Sequence, residues 1–325
     1  MKSKNGVVDH KELILMESNL KNTIARYATA STAYQVLNND IQRCVVNNTL
    51  FGFKKALGWT IVAGEPVGPS DEQAEAMAIF ESQSSPVAYF MAERVWQERH
   101  AHTHPYRVYL GSQPVWTPED WDLAMTHPSL RYQRNRAKNK GLILSEITAD
   151  EAAIRPDLQQ LRRSWLAHHG LPPMPFLVES DVFGNPGERR FFCARLAGEI
   201  VGLLVLAPVF QREGYLVEVS LRHPKAPNGT IEYLIDYVFR SISGIKMLTL
   251  GLSPLRQDAL MARNPFWIRL LFGMLRRFGA PFYDFAGLNR FKEKCRPGSW
   301  EPLFLVSRYP ITPRMLAAIA TVFFK

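Results

Sequence analysis

Residues 214–242 constrain the fold most, because a β-strand pattern is followed there by an amphipathic helix pattern. Residues 214–222 read GYLVEVSLR, in which apolar side chains alternate as they do in a half-buried strand. Beyond a short loop, apolar residues recur at helical spacing, namely Ile231, Leu234, Ile235, Val238, Phe239 and Ile242. A stripe of this kind buries one face of a helix. The segment therefore predicts a strand and then a helix that packs on the sheet.

Further strand and helix patterns surround this unit in a recognisable order. Residues 188–210 predict two strands before it, and residues 246–255 predict a strand after the helix. Strand, strand, strand, helix, strand is the order of an N-acetyltransferase-like (GNAT) fold. In the first half, a cap at Ser70 opens a helix between strand patterns, which is compatible with a degenerate copy. We therefore predict an α/β (α+β) fold of two tandem GNAT-like acyltransferase domains, residues 1–145 and 146–325, with the active site in the second.

The charge balance of the chain favours an anionic partner. There are 39 Lys and Arg against 30 Asp and Glu, a net charge of +9, which suits nucleic acid or an anionic membrane surface. Three cysteines stand far apart without CxxC spacing, as reduced thiols do in a cytosolic setting. The longest apolar runs, residues 200–210 and 315–324, fall short of the roughly 20 residues of a spanning helix. We expect a cytoplasmic protein, peripheral at the inner face of the cell membrane.

Two segments rich in cations are candidate anion contacts. Residues 131–141, RYQRNRAKNKG, hold five cations and no acid. On a helix, Arg134/Lys138 and Arg136/Lys140 would be like-charge pairs, which destabilise the helix unless an anion lies nearby. Residues 288–300, LNRFKEKCRPGSW, interleave cations with apolar residues, which is typical of a rim with one packed side and one side facing an anion. A solvated helix end and an exposed loop are the respective alternatives.

The loop at residues 222–230, RHPKAPNGT, bears on the acyl donor. A CoA-dependent enzyme of this fold uses two glycines there, so that backbone N–H groups cradle the pyrophosphate. This loop has one glycine, Gly229, and two prolines, which lack an N–H. We therefore expect a donor other than CoA, and no cofactor. Glu218 and Arg222 lie four residues apart on the preceding strand, and we interpret them as a substrate clamp on one face.

Motifs for other chemistries are weak. His100, His102 and His104 would share one face of a strand, but neither a carboxylate nor a cysteine completes a zinc set, so we predict no metal site. The sequence has no GxSxG, P-loop or GxGxxG motif, which removes the main support for a serine hydrolase, an NTPase or a dinucleotide-binding enzyme.

Several phrases, taken in order, resemble one family. They are GEPVG (64–68), RAKNKG (136–141), EVSLRHPKAPNGTIEYLI (218–235), LGLSPL (250–255) and FAGLNRFKEKCRPGSWEPLFLV (285–306). Together they resemble the soluble C-terminal domain of the multiple peptide resistance factor family, the aminoacyl-phosphatidylglycerol synthases, over about residues 40–308. The resemblance implies two GNAT-like domains that move an aminoacyl group, often lysyl, from charged tRNA to the hydroxyl of phosphatidylglycerol. Asp is usual where this chain has Glu65 and Glu218, and Phe where it has Cys295, so lysine specificity is not implied.

The resemblance and the chemistry of an activated ester suggest roles for individual residues. Transfer from an ester needs no covalent nucleophile, but it needs positioning, ammonium binding and oxyanion stabilisation. We expect Glu218 and Glu232 to serve the ammonium or general base work. The candidate catalytic residues are Glu218, Arg222, Asn228, Gly229 and Ser253. The candidate substrate-binding residues are Glu65, Glu232, Lys292, Lys294, Arg296, Trp300 and Glu301, and the candidate tRNA-binding residues are Arg131, Arg134, Arg136, Lys138 and Lys140.

The expected partners are aminoacyl-tRNA, an anionic phospholipid surface and, because the sequence lacks the polytopic flippase portion of many family members, a separate membrane flippase. The apolar helix predicted after Thr312 either packs on the domain or touches the bilayer. Two other functions stay open. One is a CoA-dependent N-acyltransferase of the same fold, and the other is a non-catalytic basic adaptor that binds RNA or membrane.

Overall fold

A computed structural model describes residues 10–169, 182–183, 186–279 and 284–324, without the side chains of 10–18, 166–169 and 324. The first half contains α1 (His10–Tyr27), β1 (Gln42–Val46), β2 (Thr49–Ala56), β3 (Trp59–Ala63), α2 (Gln73–Ser82), β4 (Val87–Glu93), α3 (Arg94–Arg99), β5 (Tyr106–Trp116), α4 (Pro118–Thr126) and α5 (Pro128–Asn139).

The second half contains a similar series of elements. They are β6 (Ile143–Ile147), α6 (Ala149–Ile154), α7 (Pro156–His169), β7 (Arg190–Leu196), β8 (Glu199–Val209), β9 (Gly214–Arg222), α8 (Thr230–Ser241), β10 (Met247–Thr249), β11 (Ser253–Pro254), α9 (Phe266–Phe278), α10 (Phe285–Lys294), β12 (Ser299–Ser307) and α11 (Pro313–Phe324).

All twelve strands within the described ranges belong to one sheet. Its order is β1-β2-β3-β4-β12-β5-β10-β9-β8-β7-β6, with β11 also paired to β5. Each half has antiparallel strands followed by a parallel strand–helix–strand unit, β3-α2-β4 in the first and β9-α8-β10 in the second. This repetition confirms the predicted α/β fold.

The two halves share strands across their junction. β12, from the end of the chain, lies between β4 and β5, and β5 pairs with β10 of the second half. The polar and apolar pattern of a single strand does not reveal this insertion. The predicted division of the chain after residue 145 stays a prediction.

Local sequence signals position α4 and α8 as predicted, whereas the cap predicted at Ser70 is wrong, since α2 begins at Gln73 with Glu72 as its N-cap residue. The Thr117 hydroxyl accepts a hydrogen bond from the Asp120 N–H, and the Asp120 carboxylate accepts one from the Thr117 N–H, a capping box that starts α4. The stripe on α8 is buried against the sheet, with Leu234, Ile235 and Val238 fully enclosed.

The C-terminal helix α11 packs on the protein. Met315, Ala318, Ile319 and Val322 are buried in the same core as β2, β3 and β4. Its N-terminus is capped by the Thr312 hydroxyl, which accepts a hydrogen bond from the Met315 N–H at 3.2 Å. Of the two placements open for this helix, the structure therefore shows packing. Within the described ranges, no helix has both the length and the apolar character needed to cross a membrane.

Candidate functional site

Two glutamates meet where β4 ends. The backbone N–H of Glu93 donates to the Glu65 carboxylate at 2.7 Å, and the Ser31 N–H donates to the Glu93 carboxylate at 3.0 Å. Glu65 lies two residues beyond the end of β3, and β3 and β4 are parallel neighbours, so their carboxyl ends bring both acids to the same edge. The sequence prediction included Glu65 and missed Glu93.

A hydrogen-bonded chain links these acids to the second half. The Gln113 amide nitrogen donates to Glu93 at 3.2 Å and to Glu301 at 2.9 Å. Glu301 in turn receives two hydrogen bonds from the guanidinium of Arg212, at 2.6 and 2.8 Å. Arg212 lies between β8 and β9. The series of hydrogen bonds therefore runs from β4 through β5 and β12 to the β8–β9 turn. Glu65 and Glu301, 236 residues apart in sequence, thus belong to one network.

Burial raises the pKa of both glutamates. Burial and the neighbouring charge of Glu93 raise the pKa of Glu65 to about 8. Burial also raises the pKa of Glu93, against the opposing effect of the hydrogen bond from Ser31. Neither acid has an ion-pair partner among the described residues, whereas Glu301 has Arg212. A bound cation would relieve this cost.

These acids border a cleft of about 250 Å³, here named the acid cleft. Two buried polar atoms also line it without a hydrogen-bond partner in the described chain, Oε1 of Gln73 and Nε1 of Trp96. A buried polar group without a partner costs free energy, so both atoms suit a ligand that bonds to them. The charged and polar side chains that line the acid cleft and could bind a ligand include Glu65, Gln73, Glu93, Trp96, Arg26 and Arg99.

Glu218 is held in a buried ion pair. Its carboxylate accepts from Nε of Arg189 at 2.6 Å and from Nη2 at 3.3 Å, and neither side chain is exposed. Arg222, by contrast, is exposed and donates to Asn228 at 3.1 Å. The predicted clamp of Glu218 and Arg222 on one strand face is therefore not formed.

A β-bulge explains this difference. Val205 of β8 pairs with Val219 and Leu206 pairs with Val217, which leaves Glu218 as the extra residue. An extra residue breaks the alternation of faces, so Val217 and Val219 pack into different cores on either side of the sheet. β9 pairs with β10 only through residues 214–216, and the bulge begins just beyond them.

Beyond residue 216, β9 and β10 no longer pair, and we call this separation the β9–β10 divergence. Lys292 and Ser253 are brought together near it. Nζ of Lys292 donates to the carbonyls of Gly251 and Leu252, both at 2.8 Å, and burial lowers its pKa to about 7. The side chain is buried and therefore does not lie at an exposed rim, and the predicted contact of Lys292 with phosphate stays a prediction. Ser253, the next residue, is fully buried, and its hydroxyl has no hydrogen-bond partner within the described ranges.

The other residues predicted for the rim differ in their exposure to solvent. Lys294 and Arg296 are exposed, and the Arg296 guanidinium lies 2.6 Å from Nε2 of His127, the residue before α5. Trp300 is half-buried under the guanidinium of Arg256, 4.0 Å from the ring centroid. Since Arg296 meets the start of α5, the two cation-rich segments of the sequence adjoin in the fold.

The α5 cations are exposed with one exception. Arg134 lies 3.4 Å from Asp236 of α8, whose carboxylate also accepts from the Trp121 indole at 3.0 Å. We name the exposed cations of these two segments the basic ridge, which consists of Arg131, Arg136, Lys138, Lys140, Arg290, Lys294 and Arg296.

Two predicted residues lie at the start of α8. Glu232 is buried and helps to raise the pKa of the nearby Cys295 thiol, which burial raises most. The predicted role of Glu232, in binding the ammonium or in general base work, stays a prediction. Gly229 has φ +93°, and a Cβ there would overlap the backbone carbonyl of Gln133 on α5. This glycine is thus required by helix packing.

Residues 21–307 match the family model described as "Phosphatidylglycerol lysyltransferase, C-terminal". The chain belongs to this family. The resemblance inferred from the motifs is confirmed, and the match begins earlier than residue 40. No curated protein matches the chain.

Solved structures share the fold of this lysyltransferase-family chain. The C-terminal domain of a putative lysylphosphatidylglycerol synthetase from Agrobacterium fabrum is 20% identical, with 94% of this chain and 95% of that chain covered and a TM-score of 0.76. L-PGS from Bacillus licheniformis is 19% identical, with coverages of 99% and 98% and a TM-score of 0.76. FemX is 10% identical, with coverages of 88% and 95% and a TM-score of 0.54. At these identities the likeness shows the fold alone.

Sequence reasoning missed Glu93, Gln113, Arg189 and Arg212. Glu93 and Arg189 stand at the ends of apolar strand patterns, where a polar residue looks like the solvated boundary of the strand. Gln113 carried a usable signal, since it stands inside a long apolar strand where an amide needs a buried partner.

Proposed function

We propose that this protein transfers an aminoacyl group from charged tRNA to the hydroxyl of a membrane phospholipid such as phosphatidylglycerol. The observation that carries the proposal is the family match over residues 21–307. The acid cleft supports it with two carboxyls that have no ion-pair partner among the described residues, and the basic ridge supports it with exposed cations for phosphate.

The proposed reaction exchanges one ester for another. The lipid hydroxyl oxygen attacks the carbonyl carbon of the aminoacyl ester, and the bond from that carbon to the ribose oxygen of tRNA breaks. The hydroxyl proton ends on the ribose oxygen, so no redox partner is consumed. Catalysis then depends on positioning both substrates and stabilising the oxyanion.

In this proposal the acid cleft binds the ammonium of the aminoacyl group. Glu65 and Glu93 present adjacent carboxyls, and Oε1 of Gln73 is an acceptor without a partner within the described chain. An ammonium has three donors to satisfy and favours the ionised carboxylate. Because the pKa of Glu65 is raised to about 8, binding of the ammonium near neutral pH releases a proton from Glu65, and the affinity of the cleft for the protonated amine rises as the pH approaches 8.

For the remaining predicted residues we propose roles in positioning and in hydrogen bonding to the substrates. Lys292 holds the turn that carries Ser253, whose buried hydroxyl has no partner in the described residues and is proposed to donate to the acyl carbonyl. Arg222, steadied by Asn228, is exposed and suits a phosphate of the acceptor. Glu218 acts through its pair with Arg189 and has a positioning role.

A transfer assay tests the proposal. Purified protein is mixed with phosphatidylglycerol vesicles and tRNAs charged with labelled amino acids, and chloroform-extractable label is counted with and without RNase. We expect RNase-sensitive transfer, reduced on the order of 100-fold by Glu93→Gln and unchanged by Glu98→Gln, an exposed acid on α3.

The outcomes separate the alternatives. Loss of label from tRNA without lipid product would indicate a different acceptor. No transfer at all, together with thermal stabilisation by acetyl-CoA, would overturn the proposal in favour of a CoA-dependent enzyme. Binding of RNA or vesicles without turnover under any donor would favour the adaptor.

A further inference from the structure

Helix α9 is apolar yet stands mostly in solvent. Of its thirteen residues only Ile268 and Phe272 are buried, in the core beneath β5 and β12. Fifteen large apolar side chains are exposed in the part of the chain that the structure describes, and six of them belong to this one helix. They are Phe266 (73% exposed), Leu270 (55%), Phe278 (67%), Trp267, Met274 and Leu275.

The exposed residues form a continuous face. Phe266, Leu270, Met274 and Phe278 recur every four residues and therefore follow one side of the helix. A soluble surface rarely concentrates apolar area in this way, and such a patch marks an interaction site. We name these four residues together with Trp267 the α9 face.

The charge around the α9 face identifies the kind of partner. Arg269, Arg276 and Arg277 lie on the same helix, and residues 259–283 contain no Asp or Glu. The helix rises about 20 Å, at about 1.5 Å per residue, too short to span a bilayer. A short helix that combines aromatic and aliphatic residues with arginines is suited to lie in the headgroup region of an anionic membrane.

A groove beside the helix adds a place for a headgroup. It has a volume of about 200 Å³ between α9 and α10, lined in the described residues by Gly273, Arg276, Arg277, Phe285, Ala286 and Asn289. Two guanidinium groups next to a phenyl ring match a phosphate attached to an acyl chain. The buried Oδ1 of Asn289 has no hydrogen-bond partner in the described chain and would accept from a hydroxyl of the headgroup.

We propose that the α9 face docks this protein onto an anionic lipid bilayer, with Arg276 and Arg277 contacting lipid phosphate. The inference deepens the proposed function, on which it rests for the identity of the lipid, but docking itself needs no tRNA. It also replaces α11 as the membrane-contact element, since the apolar face of α11 is buried in the core. A second copy of the chain is disfavoured as the occupant because arginines would face arginines across the contact.

Vesicle flotation without tRNA tests the docking. The wild-type protein should float with phosphatidylglycerol-containing vesicles and far less with phosphatidylcholine vesicles. Leu270→Gln/Met274→Gln/Phe278→Gln should lower partitioning at least about tenfold. Arg276→Gln/Arg277→Gln should lower it only on anionic vesicles. Leu123→Gln/Ile154→Gln, which changes apolar residues exposed at 71% and 80% elsewhere, should float as the wild type does.

A second readout separates this proposal from the proposed function. The triple variant should lose transfer to vesicles and keep transfer to a short-chain, water-soluble phosphatidylglycerol, which also shows that it is folded. Wild-type protein that fails to float, or a triple variant that floats normally, would overturn the docking whatever the transfer assay shows. A wild-type dimer that the triple variant converts to monomer, without flotation, would assign the α9 face to self-association instead.

Discussion

Arg189 and Glu218 form a buried ion pair that ties β9 to the first half of the chain. The Arg189 guanidinium donates twice to Glu218 and once to the Asn38 side chain at 2.6 Å, and it lies 5.0 Å from the ring centroid of Tyr34. Tyr34 lies in the short 3-10 helix Ala33–Leu37 that follows α1, and Asn38 is its C-cap residue. The pair therefore joins residues about 150 to 180 positions apart, at the strand bulge next to the β9–β10 divergence.

Glu218→Gln should destabilise the protein by about 3–5 kcal/mol, because it removes the carboxylate that accepts two hydrogen bonds from the buried Arg189 guanidinium. Urea unfolding of the variant measures this loss. Arg189→Met/Glu218→Leu should recover most of it, and Glu199→Gln, an exposed acid at the start of β8, should change nothing. A Glu218→Gln protein of normal stability that lacks transfer activity would restore Glu218 to a direct catalytic role.

Glu218 also shows where sequence reasoning stops. The alternation of GYLVEVSLR correctly predicted strand β9, and the stripe from Ile231 to Ile242 correctly predicted α8. Pleat alternation placed Glu218 and Arg222 on one face, but a bulge has no signature in a single polar and apolar pattern and it reverses the face of the residues beyond it.

The orientation of the Lys292 side chain could not be predicted from the sequence for a related reason. A lysine in a basic stretch normally points to solvent, yet α10 packs so that this one reaches two carbonyls of the Gly251–Leu252 turn. Contacts between segments that are remote in sequence decide such directions. The Glu65–Glu301 network depends likewise on the insertion of β12 beside β5. Residue types at the site were thus predictable, and their pairings were not.

Glu65→Gln should remove a pH dependence of stability. The pKa of Glu65 rises from about 4.5 to about 8 on folding, so in this window the folded protein keeps a proton that the unfolded chain has lost. The free energy of unfolding therefore falls as pH rises from 4.5 to 8, by up to about 1.4 kcal/mol per pH unit. Urea unfolding from pH 5 to 8.5 should show this fall in wild type and in Glu98→Gln, and a smaller fall in Glu65→Gln. Parallel curves for all three proteins would refute the shift.

Lys292→Met should reveal the opposite slope at higher pH. Burial lowers the pKa of Lys292 from 10.5 to about 7, so between these values the unfolded chain binds the extra proton. Stability contributed by this group then rises with pH across the window, by up to about 1.4 kcal/mol per unit. The difference between wild type and Lys292→Met in unfolding free energy, measured from pH 7 to 10, should grow accordingly. Lys294→Met, at an exposed neighbour, should show no such growth, and a flat difference for Lys292→Met would mean that its ammonium stays protonated.

The basic ridge should govern how tRNA binding responds to salt. Lys138 and Lys140 are exposed near the end of α5, and each phosphate contact contributes about 0.7–0.9 to the slope of log affinity against log salt. Lys138→Gln/Lys140→Gln should therefore reduce that slope by between one and two and weaken binding several-fold at low salt. Filter binding of uncharged tRNA at several salt concentrations measures both quantities. Lys55→Gln/Arg94→Gln removes the same charge from exposed positions away from the ridge and should leave the slope near its wild-type value. Equal losses in the two variants would mean that tRNA responds only to net charge, and an unchanged slope in the ridge variant would place the tRNA elsewhere on the protein.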